Sequence, residues 1–312
     1  MKYNYKITID NYKPTILDFF KSFYLGNEKL KALKNHIWIN DLPCDMTSGL
    51  ELDDVLTIDD QKGLDIKPLN VRIDILYEDD NLLIINKPCY CHIHSDGNKN
   101  TENTLANMVA AYYVRKGLDM PVRYIHRLDY ETTGIIIFAK DPLTMSALSS
   151  ELENHSLRRD YLAFVEGIIS NDIIIDKPIG RNRHNSQKYL ISKTGKKAIT
   201  ICHPIGQYKN KSLVRLTLKT GRTHQIRVHM TSIGHPLLGD MLYGGNIKYI
   251  KRVALHSYYV SFINPVTKNK NIIRKPASDP IRSFFFLDKK YPGCPLNTLF
   301  FFKIVTSGQK IS

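Results

Sequence analysis

The sequence predicts an α+β fold: a mixed, largely antiparallel sheet with peripheral helices, preceded by a small α/β module. Strand patterns dominate from Asp160 to Ile263, capped helix signals appear at a few separate positions, and no internal repeat is present. At 312 residues with 43% apolar content the chain can bury a sizeable core. It is expected to divide in two, because single cores seldom grow past roughly 250 to 300 residues.

Residues 1–60 make up the predicted N-terminal module. Thr15 is placed to cap a helix carrying Leu17, Phe19, Phe20 and Phe23, and a second helix around Glu28 to Asn35 presents Lys29, Lys31 and Lys34. Short strands are expected at Ile37 to Asn40 and Val55 to Ile58, with turn chemistry at Asn40-Asp41-Leu42-Pro43. Residues 61–70, QKGLDIKPLN, set Gly and Pro among polar neighbours and read as a linker. Strands from Val71 to Tyr77 and Leu82 to Lys87 then precede a helix from Asn103 to Lys116, stopped by Gly117. Gly134 permits a tight turn before an apolar strand from Ile135 to Ala139. Asp141-Pro142 starts a helix, the acid as N-cap and the proline in the first turn, with Leu143, Ala147, Leu148 and Leu152 on one stripe. After Pro280 come Phe284-Phe285-Phe286 and Leu299-Phe300-Phe301-Phe302; these aromatics are expected to pack on the preceding domain, with a partner-binding surface as the lesser alternative.

Charge is unevenly spread. The net charge is +14, yet Met1 to Asn70 holds nine bases and eleven acids, whereas Pro178 to Gly239 holds twelve Lys or Arg and no Asp or Glu. A concentrated field of one sign attracts a polyanion, and nucleic acid is the natural partner. An anionic membrane surface competes as a reading, but that window lacks a long amphipathic or apolar helix. No N-terminal apolar segment of a signal peptide and no membrane-length apolar run is evident, and five scattered cysteines (Cys44, Cys89, Cys91, Cys202, Cys294) give no disulfide framework, so a cytoplasmic protein is expected. Cys89, Cys91, His92 and His94 contain ligand types for zinc, but Cys-x-Cys followed at once by His-x-His is too compressed for tetrahedral spacing, and no metal is expected.

Two segments carry chemistry. In IHRLDYETTGIIIFAK, Ile125 to Lys140, a lone carboxylate, Asp129, follows His126 and Arg127, with Thr132 and Thr133 able to hydrogen-bond the loop backbone; such a carboxylate is built to stay ionised. Taken alone, the segment reads as an Arg/Asp pair stabilising a turn. LKTGRTHQIRVHM, Leu218 to Met230, sets Arg222, His224, Gln225, Arg227 and His229 in close succession. Extended, alternate residues would share a face; if the chain turns helical near Thr223, Thr223 and Arg227 become neighbours. Either way one face is heavily basic, and a merely solvated surface would intersperse acids.

HRLDYETTG, RRDYLAFVEG and LKTGRTHQIRVHMTSIGHPLLGD together resemble, in order and spacing, the three signature blocks of the RluA-type pseudouridine synthases, which convert uridine in RNA to its C-glycoside isomer. Similarity extends through VRIDILYEDDNLLIINKP, KPIGRNRHNSQKY and HSYYVSFINPVT and covers roughly residues 70 to 285. The resemblance implies the pseudouridine-synthase fold over residues 71–285, a long bisected sheet whose central cleft holds the aspartate, followed by a 286–312 aromatic tail. It matches Asp129 to the catalytic aspartate, Tyr161 to the tyrosine lying against the target base, Arg227 to the basic residue paired with the aspartate, and Arg127 to the arginine that helps displace the base. The family usually carries Ser at the position of Thr133 and Gly at that of Tyr90. Residues 14–60 are similar to the alpha-L RNA-binding module appended to many such enzymes; lysines from Lys13 to Lys34 outnumber acids five to two, although the module's total charge is negative and a plain capping subdomain stays open.

These residue types suit the reaction. Breaking the bond from N1 to C1′ and rejoining the base through C5 transfers nothing and needs no cofactor; a carboxylate assists as nucleophile or as a base acting at the sugar, and both routes need it deprotonated. A guanidinium such as Arg227 is the expected counterweight to its burial. The target must be flipped from its stack, and a tyrosine ring can hold it, although Tyr161 equally fits a strand core. Asp129, Tyr161 and Arg227 are the expected catalytic residues; His126, Arg127, Thr132, Arg222, His224, Gln225, Lys29, Lys31 and Lys34 are the expected RNA contacts. The expected partner is structured RNA, ribosomal before transfer RNA, bound by a monomer without a membrane. An RNA-binding assembly factor is disfavoured because a carboxylate beside an anionic ligand weakens binding. A nucleotide hydrolase is disfavoured because neither GxxxxGK[ST] nor G-x-S-x-G occurs.

Overall fold

Two main sheets and one two-stranded hairpin carry the described chain. The computed structural model describes residues 1–95, 103–277 and 305–306. The first sheet is four-stranded and antiparallel, built from β1 (Lys2–Lys6), β2 (Ile37–Ile39), β3 (Leu42–Pro43) and β4 (Val55–Asp59) in the order β1-β4-β2-β3. Two helices cover it, α1 (Ile16–Ser22) and α2 (Asn27–Leu33). Thr15 caps α1 as its sequence position predicts, its hydroxyl accepting from the Asp18 N–H, and Ile16, Phe19 and Phe20 are buried. Asn40 and Asp41 both have positive φ, the conformation that lets a two-residue hairpin follow the natural strand twist, and Ile39 pairs directly with Leu42. Lys29, Lys31 and Lys34 are exposed at α2.

The second sheet contains β5 (Asp74–Glu78), β6 (Leu82–Lys87), β7 (Arg123–Tyr124), β8 (Thr133–Ala139), β9 (Arg158–Glu166), β10 (Ile173–Asp176), β13 (Ile199–Gln207), β14 (Lys211–Leu218), β15 (Leu255–Ile263), β16 (Lys270–Arg274) and β17 (Val305–Thr306). Its main path runs β10-β13-β14-β9-β15-β8-β6-β5, with β7 on β8 and β16 and β17 beyond β15. A separate hairpin pairs β11 (Ile179–Arg181) with β12 (Tyr189–Ile191). Helices α3 (Leu105–Arg115), α4 (Pro142–Glu153) and α5 (Gln225–Ser232) complete the elements, with a 3-10 turn at Met241–Tyr243. The two halves of the path meet only where β15 runs parallel to β8, over His256 with Thr133 and Ser257 with Gly134. Gly134 has φ +113, and a Cβ there would lie 2.1 Å from the Ser257 carbonyl oxygen, so only glycine lets the strands approach so closely. Beside this seam β15 bulges between Ser257 and Tyr259 against β9. A short parallel contact flanked by a bulge splays the halves apart and opens a cleft at the sheet centre.

Several boundaries differ from the sequence expectation. The first strand of the large sheet begins at Asp74, because the chain before it is pinned elsewhere. The Leu64 N–H donates to Asp119, the Leu69 N–H to the Asn107 carbonyl, and the Asn107 amide to the Lys67 carbonyl. The expected linker is therefore irregular but tied along its length. The long run of strands is interrupted by α5, which follows β14. Asp141 caps α4 through the Leu143 and Thr144 N–H groups, as predicted, and also accepts the buried Tyr5 hydroxyl at 2.7 Å. With Leu143 and Ala147 packed among Phe19, Phe20 and Leu56, α4 seats the small sheet on the large one. The aromatic runs at 284–286 and 299–302 lie outside the described residues.

Candidate active site

Asp129 sits in the turn between β7 and β8 at the mouth of the central cleft, its side chain 20% exposed. The Thr132 N–H donates to the Asp129 carbonyl, closing the turn. The next residue is anchored from below: the buried Lys87 ammonium donates to the carbonyls of Pro88, Cys91 and Tyr130. Burial pulls Lys87 down to about 8. The hydroxyls of Thr132 and Thr133 do not bond this loop as expected. Thr132 Oγ1 meets no protein partner among the described residues, and Thr133 Oγ1 bonds His256 Nδ1 at 2.8 Å.

Arg227 reaches Asp129 from the first turn of α5, Nη1 to Oδ2 at 3.3 Å. Its tighter partner is one the sequence did not indicate. Nε donates to Asp240 Oδ2 at 2.7 Å and Nη2 to Asp240 Oδ1 at 2.9 Å, a two-point charged contact with a carboxylate only 1% exposed. The guanidinium also lies 4.9 Å from the Tyr243 ring centre. Burial acts to lower the Arg227 pKa, but the two carboxylates outweigh it and raise it above its ordinary value. Tyr161 projects from β9, between β14 and β15, and lines the same cavity as Asp129; burial raises its pKa above the ordinary tyrosine value. That cavity, about 420 Å³, is also walled by Arg127, Arg159 and Arg222. Arg159, buried at 5% exposure, is a wall residue that the RRDYLAFVEG block contains but its sequence context does not single out.

Three expected RNA contacts fall differently. Gln225 is 2% exposed and fully employed: its Oε1 accepts from the Thr220 hydroxyl and the Arg222 N–H, while its Nε2 donates to the Ile199 carbonyl and Thr200 hydroxyl. It fastens the GRTHQ turn to β13 while forming part of the cavity wall. His224 adopts φ +55 ahead of α5, its Nδ1 2.9 Å from the Tyr243 hydroxyl and its Nε2 3.9 Å from Asp129 Oδ2, beyond hydrogen-bond reach. Burial lowers its pKa. His126 supplies no charge to the carboxylate either, for burial, aided by Arg159, depresses its ring to about 3. Lys29, Lys31 and Lys34 line neither cavity at Asp129. Of the zinc-like cluster, Cys89 donates to the Glu131 carbonyl, and the rings of His92 and His94 stack on Tyr130 and Tyr124.

Two buried histidines make acid stability a test of these environments. His256 Nε2–H donates to the Lys275 carbonyl, which leaves Nδ1 to accept from Thr133, and burial lowers this ring to about 4. With both folded-state values below the unfolded 6.5, the unfolded chain binds protons that the native chain refuses. Stability is thus intact above pH 6.5 and lost as pH falls toward 4 and 3, by about 1.4 kcal/mol per pH unit per histidine. Urea midpoints between pH 6.5 and 5 should show this slope, and His126→Phe should remove one histidine's share. An unchanged slope would mean that ring 126 is already protonated in the folded protein.

A carboxylate set in an arginine-walled cleft at the seam of a divided sheet defines an enzyme that works on a polyanion. Residues 81–232 match the family model of RNA pseudouridylate synthases. The uncharacterized RNA pseudouridine synthase YhcT of Bacillus subtilis is 39% identical over 224 residues, spanning 71% of this chain and 74% of that protein. A ribosomal large subunit pseudouridine synthase D of Zymomonas mobilis is 37% identical over 216 residues, 64% of this chain and 68% of that one. Among solved structures, human RNA pseudouridylate synthase domain containing 1 superposes with a TM-score of 0.54 at 25% identity, covering 66% of this chain and 84% of that chain. The chain belongs to the RluA-type RNA pseudouridine synthases, enzymes that isomerise uridine in RNA.

Proposed function

We propose that Asp129 carries the glycosidic rearrangement, that Tyr161 lies against the extruded uracil, and that Arg227 supports the carboxylate, with large-subunit ribosomal RNA as the substrate. The observation that carries the assignment is the Arg227 to Asp129 contact at 3.3 Å on a cavity that Tyr161 also walls. Atoms balance without any additional reactant: N1–C1′ breaks, the base turns, and C5–C1′ forms while the C5 proton leaves and N1 gains one. Asp129 serves either as the nucleophile that holds the sugar or as the base that acts on it. Tyr161, kept as a phenol by burial, offers an apolar face to the ring and a hydroxyl for a proton or hydrogen bond. Arg127, exposed at the rim, is suited to fill the gap left in the RNA stack. His126, Thr132 and Arg222 contribute to the wall, the Arg222 Nε donating to the Lys197 carbonyl.

The ribosomal target is supported by the names of relatives and by the basic window; transfer RNA is the second candidate. Lys29, Lys31 and Lys34 on α2 are assigned to a distal part of the RNA. Cys44, Cys89, Cys91 and Cys202 are free thiols, which supports our assignment to the cytoplasm. Carbodiimide treatment and reverse transcription of RNA from cells with and without the protein tests the target. Loss of a large-subunit ribosomal signal is the expected result; loss confined to transfer RNA would overturn the ribosomal assignment.

A further inference from the structure

Asp129 stands where two cavities meet. Beside the one walled by Tyr161 lies a second of about 170 Å³, lined by His92, Tyr130 and Val253, which shares Arg127, Asp129 and Arg227 with the first. Tyr130, 43% exposed, is part of its lining, and Tyr90, 52% exposed, packs against Tyr130 from outside that lining. Their centres are 5.8 Å apart, and His92 stacks under Tyr130 at 4.5 Å with planes 29° apart. The rings are held, not loose. The Tyr90 hydroxyl donates to the Lys251 carbonyl, and the Tyr130 carbonyl receives the Cys91 N–H and the Lys87 ammonium, which locks the two loops together. Tyr90 also has φ +55, a left-handed backbone that glycine adopts freely and a bulky residue adopts at a cost. Other non-glycine residues share this angle, the exposed Tyr24 among them; what sets Tyr90 apart is that its ring packs on Tyr130, which lines the cavity at Asp129.

We infer that Tyr90, Tyr130 and His92 form a stacking shelf for the unpaired base adjoining the target uridine in the RNA strand. The inference rests on the function proposed above and deepens it. Flipping one nucleotide deprives its neighbour of a stacking partner, and an aromatic ring replaces that partner for any base, since every base has a π-face. Charge at the shelf favours a nucleic acid over a peptide. Arg127 and Lys251 are exposed beside it, whereas the nearby Glu131 carboxylate is engaged by the Val253 N–H. The shelf selects loop context by its affinity for an unstacked neighbour, independently of base identity.

The test uses the full chain and total RNA tritiated at uridine C5, taken from cells lacking the protein, with tritium release giving KM and melting giving Tm. Tyr90→Gly removes the ring while restoring the residue best suited to the backbone, so Tm should hold or rise while KM increases about tenfold, the value of one base stack. Tyr90→Phe should keep KM within twofold of wild type. A Tyr90→Gly KM within twofold of wild type overturns the shelf. Equal losses in Gly and Phe variants also overturn it, by assigning the effect to the hydroxyl contact with Lys251. If the wild-type protein releases no tritium from this RNA, the function proposed above falls first and the shelf with it.

Discussion

Asp129→Asn should abolish uridine isomerisation, with tritium release falling about 10⁴-fold or more, while RNA binds as tightly as before or more tightly. The loss follows from removing the carboxylate that Arg227 contacts in the cavity, a role worth about 10⁴-fold at the upper end for a general base and up to about 10⁶-fold for a nucleophile. The retained affinity follows from the site's charge: the substitution deletes a negative group from among Arg127, Arg159, Arg222 and Arg227, where a phosphate chain must lie. Folding should be little affected, because the turn is closed by the Asp129 backbone carbonyl and Arg227 keeps Asp240 as its main partner. Filter binding, tritium release and thermal melting on the same preparation check the three statements. Parallel loss of binding and turnover would show that Asp129 positions the RNA and does not act on it.

Local signals in the sequence proved sufficient for local structure. Thr15 and Asp141 are legible as caps because the bond each makes lies within three residues of itself. Gly134, expected at a turn, lies instead inside β8, where it touches β15, and that role is not legible because its neighbour there, Ser257, is far away in the chain. The candidate site divides in the same way. Asp129, Tyr161 and Arg227 each stand in a recognisable block, and the fold brings them to one cavity. Asp240, the strongest partner of Arg227, closes the same block as the arginine and is the first acid after the acid-free window, yet nothing in the block states that the chain turns back to bring the two together. The internal hydrogen bonds of Gln225 were not legible, because a polar amide in a basic string looks available, whereas the first six residues of α5 are all buried and that environment leaves no periodicity to read. His126 misled for a related reason, because sequence proximity to Asp129 does not report the burial that keeps its ring neutral. At Tyr90 the departure from the family's glycine put the backbone in doubt, yet the chain keeps the glycine-like angle there.

The coupling of Arg227 to Asp240 predicts that stability and catalysis can be separated. Arg227→Met should lose turnover, and it should also destabilise the fold by about 3–5 kcal/mol, because it leaves the carboxylate of Asp240 buried and unpaired. Asp240→Leu should cost a similar amount by stranding the guanidinium, whose remaining carboxylate contact is the longer one at 3.3 Å. Combining the two removes both charges from the interior. The double variant should therefore recover to within about 1–2 kcal/mol of wild type, since apolar replacement of a buried pair is often close to neutral. Turnover should not recover, because Asp129 still lacks its cation. Urea denaturation of the four proteins gives the coupling, and tritium release gives the catalysis. Additive destabilisation would show that Arg227 and Asp240 do not depend on each other. Recovered turnover in the double variant would show that the guanidinium has no part in the chemistry. If both expectations hold, Asp240 is what keeps a buried arginine oriented, two of its nitrogens engaged on one side and the third left facing the reacting carboxylate.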